Sequence, residues 1–109
     1  MNIYLVRHAE SEGNAKGYVS SPKTRLTMKG HVQAKKLGRR LLKERIKIDN
    51  AYCSEFRRSI ETIDDIFTAS RLGDTPVEIT NLLNEISRKE FEGKKKSDYY
   101  LKKEQQYQK

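Results

Sequence analysis

Ile3, Leu5 and Val6, with Tyr4 between them, form a short apolar run of the kind that fills a strand buried on both faces. The run stops at Arg7-His8. Residues 13–25, GNAKGYVSSPKTR, hold two glycines and a proline among polar side chains, which predicts a loop. Thr27 then offers an N-cap, and Ala34, Leu37, Leu41 and Leu42 recur at helical spacing behind it. Lys35, Lys36, Arg39, Arg40 and Lys43 fill the other face, the ordinary pattern of a solvated helix surface. Residues 48–53 predict a second strand, and Ser54 a cap for a helix striped by Phe56, Ile60, Ile63 and Phe67. Gly73 and Pro76 break the chain, and Val77, Ile79 and Leu82 predict a third strand that runs into a loop at Asn84-Glu85.

Strand, helix, strand, helix, strand is the pattern of an α/β fold with right-handed crossovers and a parallel sheet. A length of 109 residues predicts one small domain with a limited core. Its body is residues 1–93, and residues 94–109 form a Lys- and Gln-rich polar tail or helix. No apolar run nears the roughly 18 residues of a membrane span. Arg7, His8 and Glu10 interrupt the one apolar stretch near the N-terminus, so neither a secretory signal nor a membrane partner is expected. The single cysteine, Cys53, excludes an intramolecular disulfide framework and fits a cytoplasmic location.

The net charge of +8 suggests an anionic partner, but the distribution tempers that reading. The tail holds six lysines against Asp98 and Glu104, half of the excess. Charge alone therefore makes a poor case for nucleic acid, and a Lys-rich tail would leave His8 and Glu85 unexplained.

In a parallel α/β sheet, ligands collect beyond the carboxyl ends of the strands. Arg7-His8, residues 54–58 and Glu85 all fall at such ends. A histidine there can serve as base, metal ligand or nucleophile. Metal binding fits worst, because the chain has two histidines and one cysteine and the neighbours of His8 are cationic. Cationic neighbours suit a phosphate dianion, for which arginine offers paired donors. Arg57 and Arg58 add the first turn of a helix, where backbone N–H groups also attract anions. No metal and no cofactor is expected.

Arg7-His8-Ala9-Glu10-Ser11 with Asn14 resembles the signature of the histidine phosphatase superfamily, which includes the phosphoglycerate mutases. Three further blocks follow in order. Leu26-Thr27-x-x-Gly30-x-x-Gln33-Ala34-x-x-Leu37 is similar to the family's first-helix motif. Cys53-Ser54-x-x-x-Arg58-x-x-x-Thr62 resembles its Ser-x-x-x-Arg-Ala-x-x-Thr stretch, and Leu83-Asn84-Glu85 with Glu92-Gly93 its acidic segment. Ala9 stands where the family usually has glycine, and Lys89 where it usually has another.

The resemblance implies a three-layer α-β-α fold of which this chain holds the N-terminal part. It implies His8 as the nucleophile that becomes a phosphohistidine, Arg7 and Arg58 as phosphate ligands, and Glu85 as general acid and then base. Ser11, Asn14 and Ser20 would line the phosphate-binding loop; Ser20 and Glu85 also have ordinary readings, as a loop residue and a solvent-exposed carboxylate. Arg57 and His31 are expected at the surface. Family members are longer, and their second half supplies another active-site histidine. Phosphoglycerate mutase-like or phosphomonoesterase chemistry is the reading this supports, weakened by that missing histidine, on a phosphorylated small molecule or phosphoprotein. The alternative is a truncated pseudoenzyme that binds phosphate without turning it over. An uncovered sheet edge would invite a homo-oligomer.

Overall fold

The structure is a computed structural model and describes residues 1–84. In chain order it contains α1 (Glu12–Lys16), α2 (Met28–Lys43), β1 (Ala51–Cys53), α3 (Arg57–Ser70) and β2 (Val77–Ile79), closed by a 3₁₀ turn at Asn81–Leu83. β1 and β2 pair in parallel, with Ala51 opposite Val77 and Cys53 opposite Ile79, and α3 is the crossover between them. The α/β class with a parallel sheet is as expected; the 94–109 tail lies outside the described residues.

Helices α2 and α3 form the main packed unit, and small residues set how closely they approach. Gly30, Ala34 and Gly38 are the buried positions of α2, one turn apart on a single line. A Cβ at Gly38 would collide with the Ile66 carbonyl and lie 2.8 Å from Ala69 Cβ, so only glycine lets the backbones meet there. Leu37 and Leu41 flank this line half-buried, while Leu42 is exposed. The basic side chains predicted to face water do so.

On α3 the buried line runs through Arg58, Thr62, Ile66 and Ser70, spaced by four. The predicted apolar stripe of Phe56, Ile60, Ile63 and Phe67 is only half-buried. The helix thus turns a mostly polar line inward, and the buried residues among those described are split between apolar (Val19, Leu26, Ala34, Cys53, Ile66) and polar ones. Burying a polar group is costly unless it is hydrogen-bonded, which makes the network described below part of the fold.

Four local expectations are corrected. Residues 3–6 form no strand, and Ile3 and Leu5 are 73% and 94% exposed. A strand buried on both faces needs a paired neighbour and covering layers, and none of the described elements supplies them at this segment. Residues 12–16 are helical rather than loop, because Ser11 and Asn14 form a reciprocal capping box over a single turn. Ser54 does not cap α3: the cap position is Phe56, and the buried Ser54 hydroxyl has no hydrogen-bond partner among the described residues. Finally, β2 ends at Ile79 and Leu82 falls in the 3₁₀ turn, since Thr80 accepts a hydrogen bond from the Leu82 N–H and tightens the chain.

Gly38→Ala gains about 1 kcal/mol of helix propensity but overpacks a backbone contact, at a typical cost of about 1–3 kcal/mol. A net loss of stability is expected, read as a lower denaturation midpoint at unchanged m-value.

Candidate active site

His8 follows an irregular exposed segment, so its position is set by what comes after it. Its Nδ1 lies 2.7 Å from the Ala9 carbonyl. A carbonyl only accepts, so the neutral ring carries its proton on Nδ1 and its lone pair on Nε2. The Ala9 N–H donates to Thr62 Oγ1 (3.0 Å), and Thr62 Oγ1 donates to the Arg58 carbonyl (2.6 Å). One hydroxyl in the middle of α3 therefore joins the residue after the histidine to the turn that carries the arginine.

The next residue is held from the other helix. The Glu10 N–H donates to Gln33 Oε1 (3.0 Å), its carbonyl accepts from the Thr27 N–H (3.0 Å), and its carboxylate accepts from Thr27 Oγ1 (2.8 Å). Thr27 Oγ1 also caps α2 by accepting from the Gly30 N–H (3.0 Å). A Cβ at Gly30 would collide with the Glu10 carbonyl, so glycine is what lets this backbone seat against the helix start.

The loop from residue 11 to 27 closes on itself. Ser11 and Leu26 form an antiparallel bridge, and the Glu12 N–H donates to the Arg25 carbonyl (2.9 Å). Ser11 is completely buried and its hydroxyl both donates to Asn14 Oδ1 (3.0 Å) and accepts from the Asn14 N–H (3.3 Å). Its role in the described structure is thus to shape the turn, with Asn14 as its partner. Ser20 lies against Gly13, where a Cβ would collide with its Oγ. Arg25 Nε donates to Glu12 Oε1 at 2.7 Å.

Arg58 is 3% exposed, with Nη1 donating to the Ser21 carbonyl (2.9 Å) and its guanidinium 4.7 Å from the centroid of the Phe56 ring. The Arg57 N–H, in the first turn of α3, donates to the Pro22 carbonyl (2.9 Å). One of the helix-start donors expected to attract an anion is therefore taken by the protein's own loop. The Arg57 side chain is exposed and pairs with Glu61 at 3.5 Å. Arg7 is exposed as well.

His31 is not a plain surface residue. It is partly buried between the helices, with Nδ1 2.6 Å from Asp65 Oδ2 and Nε2 3.6 Å from Glu61 Oε2. Glu61 Oε1 also accepts from the Leu26 N–H (3.1 Å) and so ties α3 to the loop. Among the described residues no group of three His, Cys, Asp or Glu side chains converges on a metal position. Burial pushes the Cys53 thiol up from its ordinary value.

Glu85 lies outside the described residues, but the residue before it is placed. Asn84 Oδ1 accepts from the Glu55 N–H (2.9 Å) and Asn84 Nδ2 donates to Glu55 Oε1 (3.0 Å), which fixes Asn84 at the carboxyl end of β1. The residues that sequence reasoning gave no site role are Thr62, Gln33, Glu61 and Asn84. All but Glu61 stand in the four blocks, so the pattern marked them without saying what they hold.

The comparisons follow the same blocks. The profile of the histidine phosphatase superfamily (branch 1) matches residues 3–109, and the chain belongs to that family. A phosphoserine phosphatase homologue of Hydrogenobacter thermophilus is 41% identical over 93 residues, 84% of this chain and 43% of that one. The 2,3-bisphosphoglycerate-dependent phosphoglycerate mutase of Hamiltonella defensa is 33% identical over 97 residues, 88% of this chain and 39% of that one. The crystal structure of phosphoglycerate mutase from Bacillus anthracis superposes with a TM-score of 0.76 at 28% identity, over 84% of this chain and 40% of that one. In each case the chain spans less than half of the relative's length.

Arg25 holds the Glu12 carboxyl below its ordinary value of 4.5, mainly through their hydrogen bond. Because the folded value is depressed, this pair contributes to the loop above the ordinary carboxylate range and is lost as pH falls through the lowered value. In a carbon-13 NMR titration, the Glu12 midpoint is expected below 4.5 and is expected to rise in Arg25→Gln.

Proposed function

We propose that this chain performs phosphoryl transfer from a phosphomonoester through a phosphohistidine on His8. The observation that carries the reading is the His8 Nδ1 to Ala9 carbonyl hydrogen bond, which directs the ring's lone pair to Nε2. Nε2 attacks phosphorus as the bond to the leaving oxygen breaks, and Glu85 supplies the proton that oxygen takes up. Arg7 and Arg58 face the charge on the phosphoryl oxygens, with Asn14 and Ser20 at the edge of the loop and Ser11 holding its turn. Glu85, now ionised, takes a proton from the incoming nucleophile, whose oxygen bonds to phosphorus as the bond from phosphorus to Nε2 breaks, which restores His8. Water as that nucleophile makes the reaction a hydrolysis, and a hydroxyl of the substrate makes it a mutase reaction.

Membership of the family and the four ordered blocks support this reading, and the substrate class is a phosphorylated small molecule or a phosphoprotein. The phosphoglycerate mutase and phosphoserine phosphatase relatives fit both nucleophiles. The free, buried Cys53 accords with a cytoplasmic setting.

Incubating the wild type with an aryl phosphate is expected to release the phenol and to leave acid-labile phosphate on the protein. His8→Ala is expected to give neither. Equal hydrolysis by wild type and His8→Ala would overturn the proposal. Binding of inorganic phosphate by a wild type that forms no phosphohistidine would replace it with the non-catalytic phosphate-binding alternative.

A further inference from the structure

Thr62 is 5% exposed and stands between the two groups that the proposed chemistry needs in register. We propose that Thr62 is a positioning residue that fixes His8 relative to Arg58. The inference rests on the proposed function above for its catalytic consequence, though not for its geometry.

The direction of both hydrogen bonds is settled by chemistry. A threonine hydroxyl has one proton. The Arg58 carbonyl can only accept it, at 2.6 Å, and the Ala9 N–H can only donate to the oxygen, at 3.0 Å. Donation to the carbonyl four residues earlier is a common habit of threonine inside a helix. Here it turns the remaining lone pair outward to Ala9. Both backbone groups of Ala9 are then used, the N–H on Thr62 and the carbonyl on His8 Nδ1. The Glu10 N–H, in the same peptide unit as that carbonyl, is held by Gln33. Ring orientation and tautomer of His8 are thereby tied to α3 through the residue Ala9, whose two peptide units are held by Thr62 on one side and by Gln33 and the ring on the other; the second unit's hydrogen bonds polarise one another.

Valine has almost the shape of threonine and lacks the oxygen, so Thr62→Val removes the pin and leaves the Ala9 N–H unpaired. Thr62→Ser keeps it. In the full chain, His8 phosphorylation from p-nitrophenyl phosphate is expected to lose about ten- to a hundredfold in kcat in Thr62→Val, the scale of an ångström-level misplacement. KM is expected to change by less than about threefold, since the phosphate ligands remain. Thr62→Ser is expected to stay within about threefold of wild type in both. Amide exchange at Ala9 is expected to quicken in Thr62→Val and not in Thr62→Ser. If Thr62→Val does not fold, Thr62→Ala takes its place in every arm.

Unchanged Ala9 protection in the variant without a hydroxyl would overturn the inference, as would wild-type kcat or an equal loss in Thr62→Ser. A wild type that forms no phosphohistidine overturns the proposed function instead. Thr62 is then judged on Ala9 exchange and on the nitrogen-15 shifts of the His8 ring. Loss of protection together with a moved tautomer equilibrium in Thr62→Val, restored in Thr62→Ser, supports the positioning role, and its absence sinks it.

Discussion

The backbone of Ala9 and Glu10 is gripped from two sides, by Thr62 of α3 and by Thr27 and Gln33 of α2, and most of what this chain places depends on that grip. The segment before it makes no strand and leaves its apolar side chains in water. His8 would otherwise sit at the end of an extended tether. Each backbone hydrogen bond contributes only about 1 kcal/mol net, but a buried partner left unsatisfied costs about 1–3 kcal/mol. The network therefore acts through the cost of breaking any one member more than through the sum of its members.

The grip requires the helices to be close, and that closeness comes from glycine. Gly38 brings α2 onto the Ile66 carbonyl, and Gly30 lets Glu10 lie against the start of α2. Few large apolar side chains among the described residues are deeply buried, and those of the helix pair are mostly half-buried, so hydrophobic contact alone does not set its spacing. Polar ties across the seam do part of that work, with Glu61 reaching Leu26 and His31 while Asp65 holds His31. Packing and polar satisfaction here are one constraint, since a shift of α2 away from α3 would break both.

Periodicity showed the two long helices, the paired strands and the parallel class, because each has a hydrophobic face or a strong turn signal. It misjudged Ile3 to Val6, since an apolar run reports what a segment can bury and not whether a neighbour is there to bury it. It missed α1, which is one turn long and rests on a capping box, not on apolar spacing. The motif blocks placed Arg58 and Thr62 on one helix and Thr27 at a cap. What each holds was illegible, because a hydrogen bond between Ala9 and Thr62 spans 53 positions and leaves no local signature. His31 is the same case: its neighbours in sequence, Gly30 and Val32, carry no charge, and the carboxylates that hold it come from another helix.

The site is also divided in how it is supported. The side of His8, the proposed nucleophile, hangs on the helix pair through Thr62 and Thr27. Asn84, the residue before the proposed acid, is fixed by its amide on Glu55 at the end of β1 and so belongs to the sheet. Thr80 extends that tie by donating its N–H to the Cys53 carbonyl at 2.8 Å. A two-stranded sheet is marginal by itself, and Tyr52, Val77 and Ile79 leave its faces partly exposed. The α2–α3 pair carries most of its own contacts. Changes that loosen the strands should therefore reach Asn84 first, whereas changes at the α2–α3 seam should reach His8 first. Arg58 belongs to the second group: its carbonyl holds Thr62, its guanidinium holds the loop at Ser21, and both depend on α3 staying against α2.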